Sequence, residues 1–136
     1  MEKQDPIQDP ELSVPINKLW DKMLMLSIVG ILDSMRTQVV MEDMLNRIRD
    51  VEAKVIVLDI QGVAVVDSAV ANHLMKITKA TRLMGCSCII SGISPAVSQT
   101  IVNLGIELEN TLTTSTLKEA LEFAFDKLGY SVIQKG

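Results

Sequence analysis

The chain has 136 residues, 48% apolar and 22% charged, which is the size and balance of one globular domain around one core. Its formal charge is −4, its lysines and arginines are scattered and its aromatic content is 3%, so the basic footprint and the stacking platform of a nucleic-acid binder are both missing. The longest apolar runs fall far short of the roughly 20 residues that span a bilayer, and the polar start MEKQDPIQDPELS is unlike a signal peptide, which implies a cytoplasmic protein with no membrane partner.

Residues 1–13 carry Pro6, Pro10 and alternating acids without an apolar period. They are expected to form a disordered arm or a linker remnant, ahead of a domain over 14–130 and a short tail over 131–136. VPINKLW and MLMLSIV, separated by Asp21 and Lys22, read as a hairpin, although that dipeptide lacks the glycine such turns prefer. From Ser34 to Val51 the residues Val40, Met44, Ile48 and Val51 recur at helical spacing, with Arg36, Glu42, Asp43, Arg47 and Arg49 on the other side.

KVIVLDI, Lys54 to Ile60, reads as a buried strand, followed by a helix over about 68–84 with the apolar stripe Val70, Leu74, Ile77 and Met84. CSCIISG is the next strand. Cys86 and Cys88 fall on one face of it, where they make a poor disulfide and, without a second ligand pair, a poor zinc site, so core packing is expected. In SPAVSQTIVNLG, Ser94 caps a helix, Pro95 takes its first position, Val97, Ile101 and Leu104 form its buried side and Gly105 ends it. A short strand around Thr111 to Thr114 precedes a last helix, opened by a capping box of Thr116 and Glu119, with Leu117, Leu121, Ala124 and Leu128 along one face and Gly129 at its end.

The order is thus β-β-α-β-α-β-α-β-α. That is an α/β fold, with a mixed, mostly parallel sheet, an N-terminal hairpin and four helices covering the sheet.

Two stretches share one local design. In ILDSMRTQVV and VVDSAVANHL, aliphatics lead to Asp-Ser and then to an amphipathic helix. Asp33 and Asp67 are placed as N-caps, and Ser34 and Ser68 fall in first turns, where unpaired N–H groups and the macrodipole favour added negative charge. Capping alone accounts for such pairs. The second pair, however, follows a buried strand and delivers Ser68 to the rim of the sheet, where the carboxyl ends of parallel strands carry the sites of α/β proteins. A hydrolase built on Ser68 gains little support: His73 lies about 140° away around the same helix, and G-x-S-x-G is absent. His73 borders the apolar face beside Leu74, which suits a partly buried structural histidine. No GxGxxG, Walker loop or metal-ligand cluster occurs, so no cofactor or metal is expected.

The stretch VIVLDIQGVAVVDSAVANHLMKITKATRLMGCSCIISGISPAVSQTIVNLGI, Val55 to Ile106, closely resembles the STAS domain (sulfate transporter and anti-sigma-factor antagonist) of stressosome proteins of the RsbR type. PINKLWDKMLMLSIVGILDSMRTQ and TLKEALEFAF are also similar to that subgroup, so the likeness covers about Val14 to Leu128. It implies a compact STAS fold without enzymatic activity. It further implies phosphorylation by an RsbT-like serine/threonine kinase, which such domains also sequester in a large assembly with an RsbS-like STAS protein. Carried onto this chain, the phosphoacceptor positions are Ser34 and Ser68. Asp33, Asp67, Val65 and Val70 are the expected partner-binding residues around them.

Typical RsbR-type proteins have threonine at both acceptor positions, whereas the serine here also resembles the RsbS acceptor. RsbR-type chains carry an N-terminal sensory domain as well, and with about 13 residues before the fold the expectation is an absent sensor or an excised C-terminal domain. A stand-alone anti-sigma-factor antagonist that binds an anti-sigma kinase is the alternative within the family, and a small serine hydrolase the alternative outside it. An apolar hairpin edge on a short chain adds the expectation of a homodimer or larger assembly.

Overall fold

The computed structural model describes residues 12–105 and 111–136. The expected arm over 1–13 therefore lies, up to residue 11, outside the described residues. Strands β1 (Asn17–Trp20) and β2 (Met23–Gly30) pair antiparallel across Asp21 and Lys22, as expected of the hairpin. Lys22 itself takes the left-handed conformation (φ 66°) that glycine would otherwise supply. Its carbonyl accepts N–H groups from Lys54 (2.9 Å) and Val55 (3.2 Å), so the strained turn is held by the start of the next strand.

The chain continues through α1 (Ser34–Val51), β3 (Val55–Val63), α2 (Ser68–Leu83), β4 (Ser87–Ser91), α3 (Pro95–Asn103), β5 (Leu112–Thr113) and α4 (Leu117–Lys127). Among the described residues these form one five-stranded sheet in the order β1-β2-β3-β4-β5, with β2 to β5 parallel and only β1 reversed. Each crossover steps to the next strand in the same direction. With a common right hand, that stepping puts the intervening helices on one face, and α1 packs on α2 and α2 on α3 accordingly.

Strand alternation then divides the core in two. Leu24, Leu26, Ile28, Ile56, Leu58, Ile60 and Ile90 face α1 and α2, joined by Val40, Met44, Ile48, Leu74 and Ile77. Met23, Val55, Val57 and Ile89 face the other way, onto Ala120 and Ala124 of α4. The run Val55–Leu58 is buried throughout because its strand is covered on both sides.

Two apolar residues expected inside are outside. Met84 is 45% exposed and Leu104 is 41% exposed. Both are C-cap residues, where the backbone leaves the helix and the 3.6-residue phase that would have turned them inward no longer applies. Strand β3 also runs three residues beyond Ile60, with one extra residue opposite β2: Ser27 pairs with Asp59, but Val29 pairs with Gly62. The last seven residues, 130–136, adopt neither helix nor strand.

Candidate phosphoacceptor turns

Both Asp-Ser pairs sit where a parallel strand ends and a helix begins. Asp33 caps α1, its Oδ1 accepting the Arg36 N–H at 2.8 Å; Asp67 caps α2, its Oδ1 accepting the Val70 N–H at 2.9 Å. Both caps have extended backbone (φ −86° and −102°), and each leaves the following serine as the first helical residue. Ser34 and Ser68 are exposed. Neither first turn contains an acidic residue, so a new negative charge there would meet free N–H groups and a favourable dipole rather than a neighbouring carboxylate on the helix.

The two turns share one edge of the sheet, because β2 and β3 are parallel neighbours and Gly30 pairs with Val63 at their carboxyl ends. The connection is continued by the Ala64 N–H, which donates to the Gly30 carbonyl at 2.8 Å. Around this edge the chain leaves several apolar side chains in water: Val29, Ile31, Met35 and Val65, the last 66% exposed. Val70, expected at that surface, is corrected here to a core position at 8% exposure. Two residues past Ser68 the helix has already turned that position toward Leu74 and Ile77, so its side chain belongs to the stripe and only its N–H serves the cap.

Arg36 was read from sequence only as part of the polar side of its helix. In the structure its Nη1 donates to the carbonyls of Val29 and Ile31 (2.9 Å for the latter), folding the guanidinium back over the loop between β2 and α1. A basic residue three positions after the cap opposes the macrodipole, and that mismatch is the signal sequence reasoning passed over.

Elsewhere the chemistry is quiet. His73 is half-buried on α2. Cys86 and Cys88 are packed in the core, where burial pushes both thiols up to about 12, helped at Cys88 by the neighbouring Cys86 and opposed there by a hydrogen bond with Thr81. They line a hollow with Thr78, Arg82 and Thr111 at the opposite, amino-terminal edge of the parallel strands. Among the described residues no group of three or more His, Cys, Asp or Glu is arranged to hold a metal ion, and no helix is long and apolar enough to cross a membrane.

Comparison with known proteins gives this arrangement a family context. The family model described as the STAS domain matches residues 15–120. The RsbT co-antagonist protein RsbRA of Bacillus subtilis (strain 168) is 36% identical over 126 residues, which is 93% of this chain and 46% of that protein. This chain therefore spans less than half the length of that curated relative. An RsbS structure from Moorella thermoacetica superposes with a TM-score of 0.73 at 30% identity, covering 86% of this chain and 98% of that one. A chain from a structure of the stressosome, a signal integration and transduction hub, superposes at 0.66 with 28% identity, over 85% and 98% of the two chains.

Proposed function

The chain belongs to the STAS domain family, and from that premise we propose that it is a non-enzymatic, cytoplasmic scaffold of stress signalling. In this reading it binds an RsbT-like serine/threonine kinase, assembles with an RsbS-like STAS protein and is controlled by phosphorylation of Ser68 and Ser34. The observation that carries it is the pair of exposed serines, each one residue past an Asp N-cap, in turns that follow the carboxyl ends of neighbouring strands at an apolar rim of the sheet. The near-complete overlap with an RsbS chain and the likeness to RsbRA, an RsbT co-antagonist protein, support the choice of partners. Likeness to the anti-sigma-factor antagonist SpoIIAA is 12% in identity and speaks for the fold alone.

The chemistry belongs to the kinase. A serine Oγ attacks the γ-phosphorus of ATP, a new O–P bond forms, the β–γ bridging P–O bond breaks, ADP leaves and the hydroxyl proton passes to a base of the kinase. This chain supplies an exposed hydroxyl on a capped turn. The added phosphate brings nearly two negative charges to a first turn that tolerates them. A partner seated on Val65 and its neighbours would meet charge and a costly desolvation in place of an alcohol, losing on the order of several kcal/mol of affinity. Phosphorylation then releases the partner while the fold persists.

The test is phosphosite mapping by mass spectrometry after incubation with ATP and the RsbT-type kinase of the same organism, for the wild type, Ser34→Ala and Ser68→Ala. Phosphate on Ser68 or Ser34, lost in the matching variant, is the expected result; no phosphate on either returns both pairs to plain helix caps. Sedimentation with the RsbS-type protein separates a scaffold from a stand-alone antagonist, since only the scaffold builds a particle in the megadalton range.

A further inference from the structure

The two Asp-Ser turns differ in charge at one position. Three positions after its Asp, the first turn has Arg36 and the second has Val70. Arg36 is spent on the protein itself: Nη1 holds the carbonyls of Val29 and Ile31, the two residues that flank Gly30. Gly30 is in the left-handed region (φ +90°), and a Cβ there would lie 3.6 Å from Arg36 Nη1. Its own carbonyl points the other way and accepts the N–H of Ala64. Ala64 lies three residues before Asp67, the cap that precedes Ser68.

Hydrogen bonds of Arg36 to Val29 and Ile31, the backbone of Gly30 between them and the Gly30–Ala64 bond thus connect the first turn of α1 to the segment that delivers Ser68. Its weak point is also visible. Arg36 Nε is buried and, among the described residues, has no hydrogen-bond partner, so the guanidinium is held by fewer bonds than its donors allow. Carbonyls are weaker acceptors for a guanidinium than a phosphate dianion, which takes it in a charge-assisted and often bidentate pair.

We infer that Arg36 is a latch coupling the two turns: a phosphate on Ser34 draws the guanidinium off the Val29 and Ile31 carbonyls, and the loosened loop weakens the Gly30–Ala64 bond and changes the presentation of Ser68. The inference rests on the proposed phosphorylation of Ser34 and specifies what it does. Ser68, with Val70 in place of the arginine, has no latch of its own, so its modification acts on a partner through charge. The coupling element has two arrangements, Arg36 on carbonyls or on phosphate, which is what transmission between the turns requires.

The test installs phosphoserine at position 34 genetically, without any kinase, and follows residue-resolved amide hydrogen exchange by NMR. The expected result is exchange at Ala64 about tenfold faster than in the unmodified chain, with Ile56 to Leu58 unchanged. Arg36→Gln in the unmodified chain should give a similar rise, and phosphoserine 34 should add nothing in that background. Unchanged exchange at Ala64 with phosphoserine 34, or an equal rise in the Arg36→Gln background, overturns the latch. Should Arg36→Gln fail to fold, the comparison of modified and unmodified wild type still decides. A kinase that ignores Ser34 would sink the phosphorylation reading and leave these exchange data to be judged on their own.

Discussion

The Ser91 hydroxyl donates to Asp59 Oδ1 at 3.1 Å, a bond between neighbouring strands of residues 32 apart in sequence. The same oxygen accepts the Gln61 N–H at 3.2 Å, where β3 carries its extra residue. Ser91 is fully buried, so the carboxylate is its way of satisfying a hydroxyl inside the sheet, and the bond fixes the carboxyl ends of β3 and β4 from which the loops to α2 and α3 depart.

Gly92 is what lets this corner close. It sits at φ +82°, and a Cβ there would fall 2.6 Å from Asp59 Oδ1 and 2.6 Å from the Gln61 nitrogen. Gly92→Ala should therefore destabilise the protein by more than about 2 kcal/mol, combining backbone strain with a clash against backbone. Gly85, at φ +77° with open space around it, is the control: Gly85→Ala should cost only about 1 kcal/mol. Urea denaturation midpoints compare the two, and equal losses would show that the clash is relieved by movement of the bulge.

The buried thiols predict an alkaline weakness. Unfolded cysteines ionise near pH 9, whereas Cys86 and Cys88 in the fold stay neutral until about pH 12. Protons are then bound more tightly by the native state, so stability is intact below pH 9 and falls between about pH 9 and 12, by up to roughly 1.4 kcal/mol per pH unit per thiol. Cys88→Ala should flatten that decline while lowering stability near neutrality through the cavity it leaves. Denaturation at pH 7 and pH 10.5 measures both effects, and native-state alkylation by iodoacetamide should be slow until the chain unfolds.

Helix α4 covers the second face of the sheet through Ala120 and Ala124, both fully buried against Met23, Val55, Val57 and Ile89. Small residues allow the close approach, and the helix in turn places Phe125 edge-on to Trp20, with ring centroids 5.5 Å apart. Ala120→Leu should overpack this contact and cost about 1 to 3 kcal/mol. Fluorescence of Trp20, the single tryptophan, should shift to the red as Phe125 and Tyr130 are displaced from it.

What was legible in the sequence was local. Asp33, Asp67, Ser94 and Thr116 each cap a helix where residue type and the following apolar period place them, because the bond involved spans only three residues. The glutamate partner of the last cap, Glu119, is found with its carboxylate on the hydroxyls of Thr116 and Ser115. Less accessible were features set by where the backbone goes. Ala120 carries no strong apolar signal, Met84 and Leu104 keep the helical period in sequence after the helix has stopped, and Lys22 takes a conformation its residue type does not advertise. The Arg36 bonds depend on the path of the loop between β2 and α1, and the Asp59–Ser91 pair on strands brought together by the whole fold, so no spacing rule reaches either.

The caps themselves separate stability from signalling. Asp67→Ala removes the acceptor of the Val70 N–H and should cost about 1 kcal/mol, while Asp67→Asn keeps an acceptor and should cost less. Ser68→Asp adds one negative charge at the first position of α2, which the macrodipole favours, so far-UV circular dichroism should match the wild type. Under the proposed function, affinity for the RsbT-type kinase falls at least about tenfold in the same variant, measured by titration calorimetry, and stays near wild type in Ser68→Ala. A loss of helical signal in Ser68→Asp would mean that this turn is too tightly packed for a charge and that any effect on the partner arises from unfolding. Intact helices with unchanged affinity would instead place the kinase on another face of the domain.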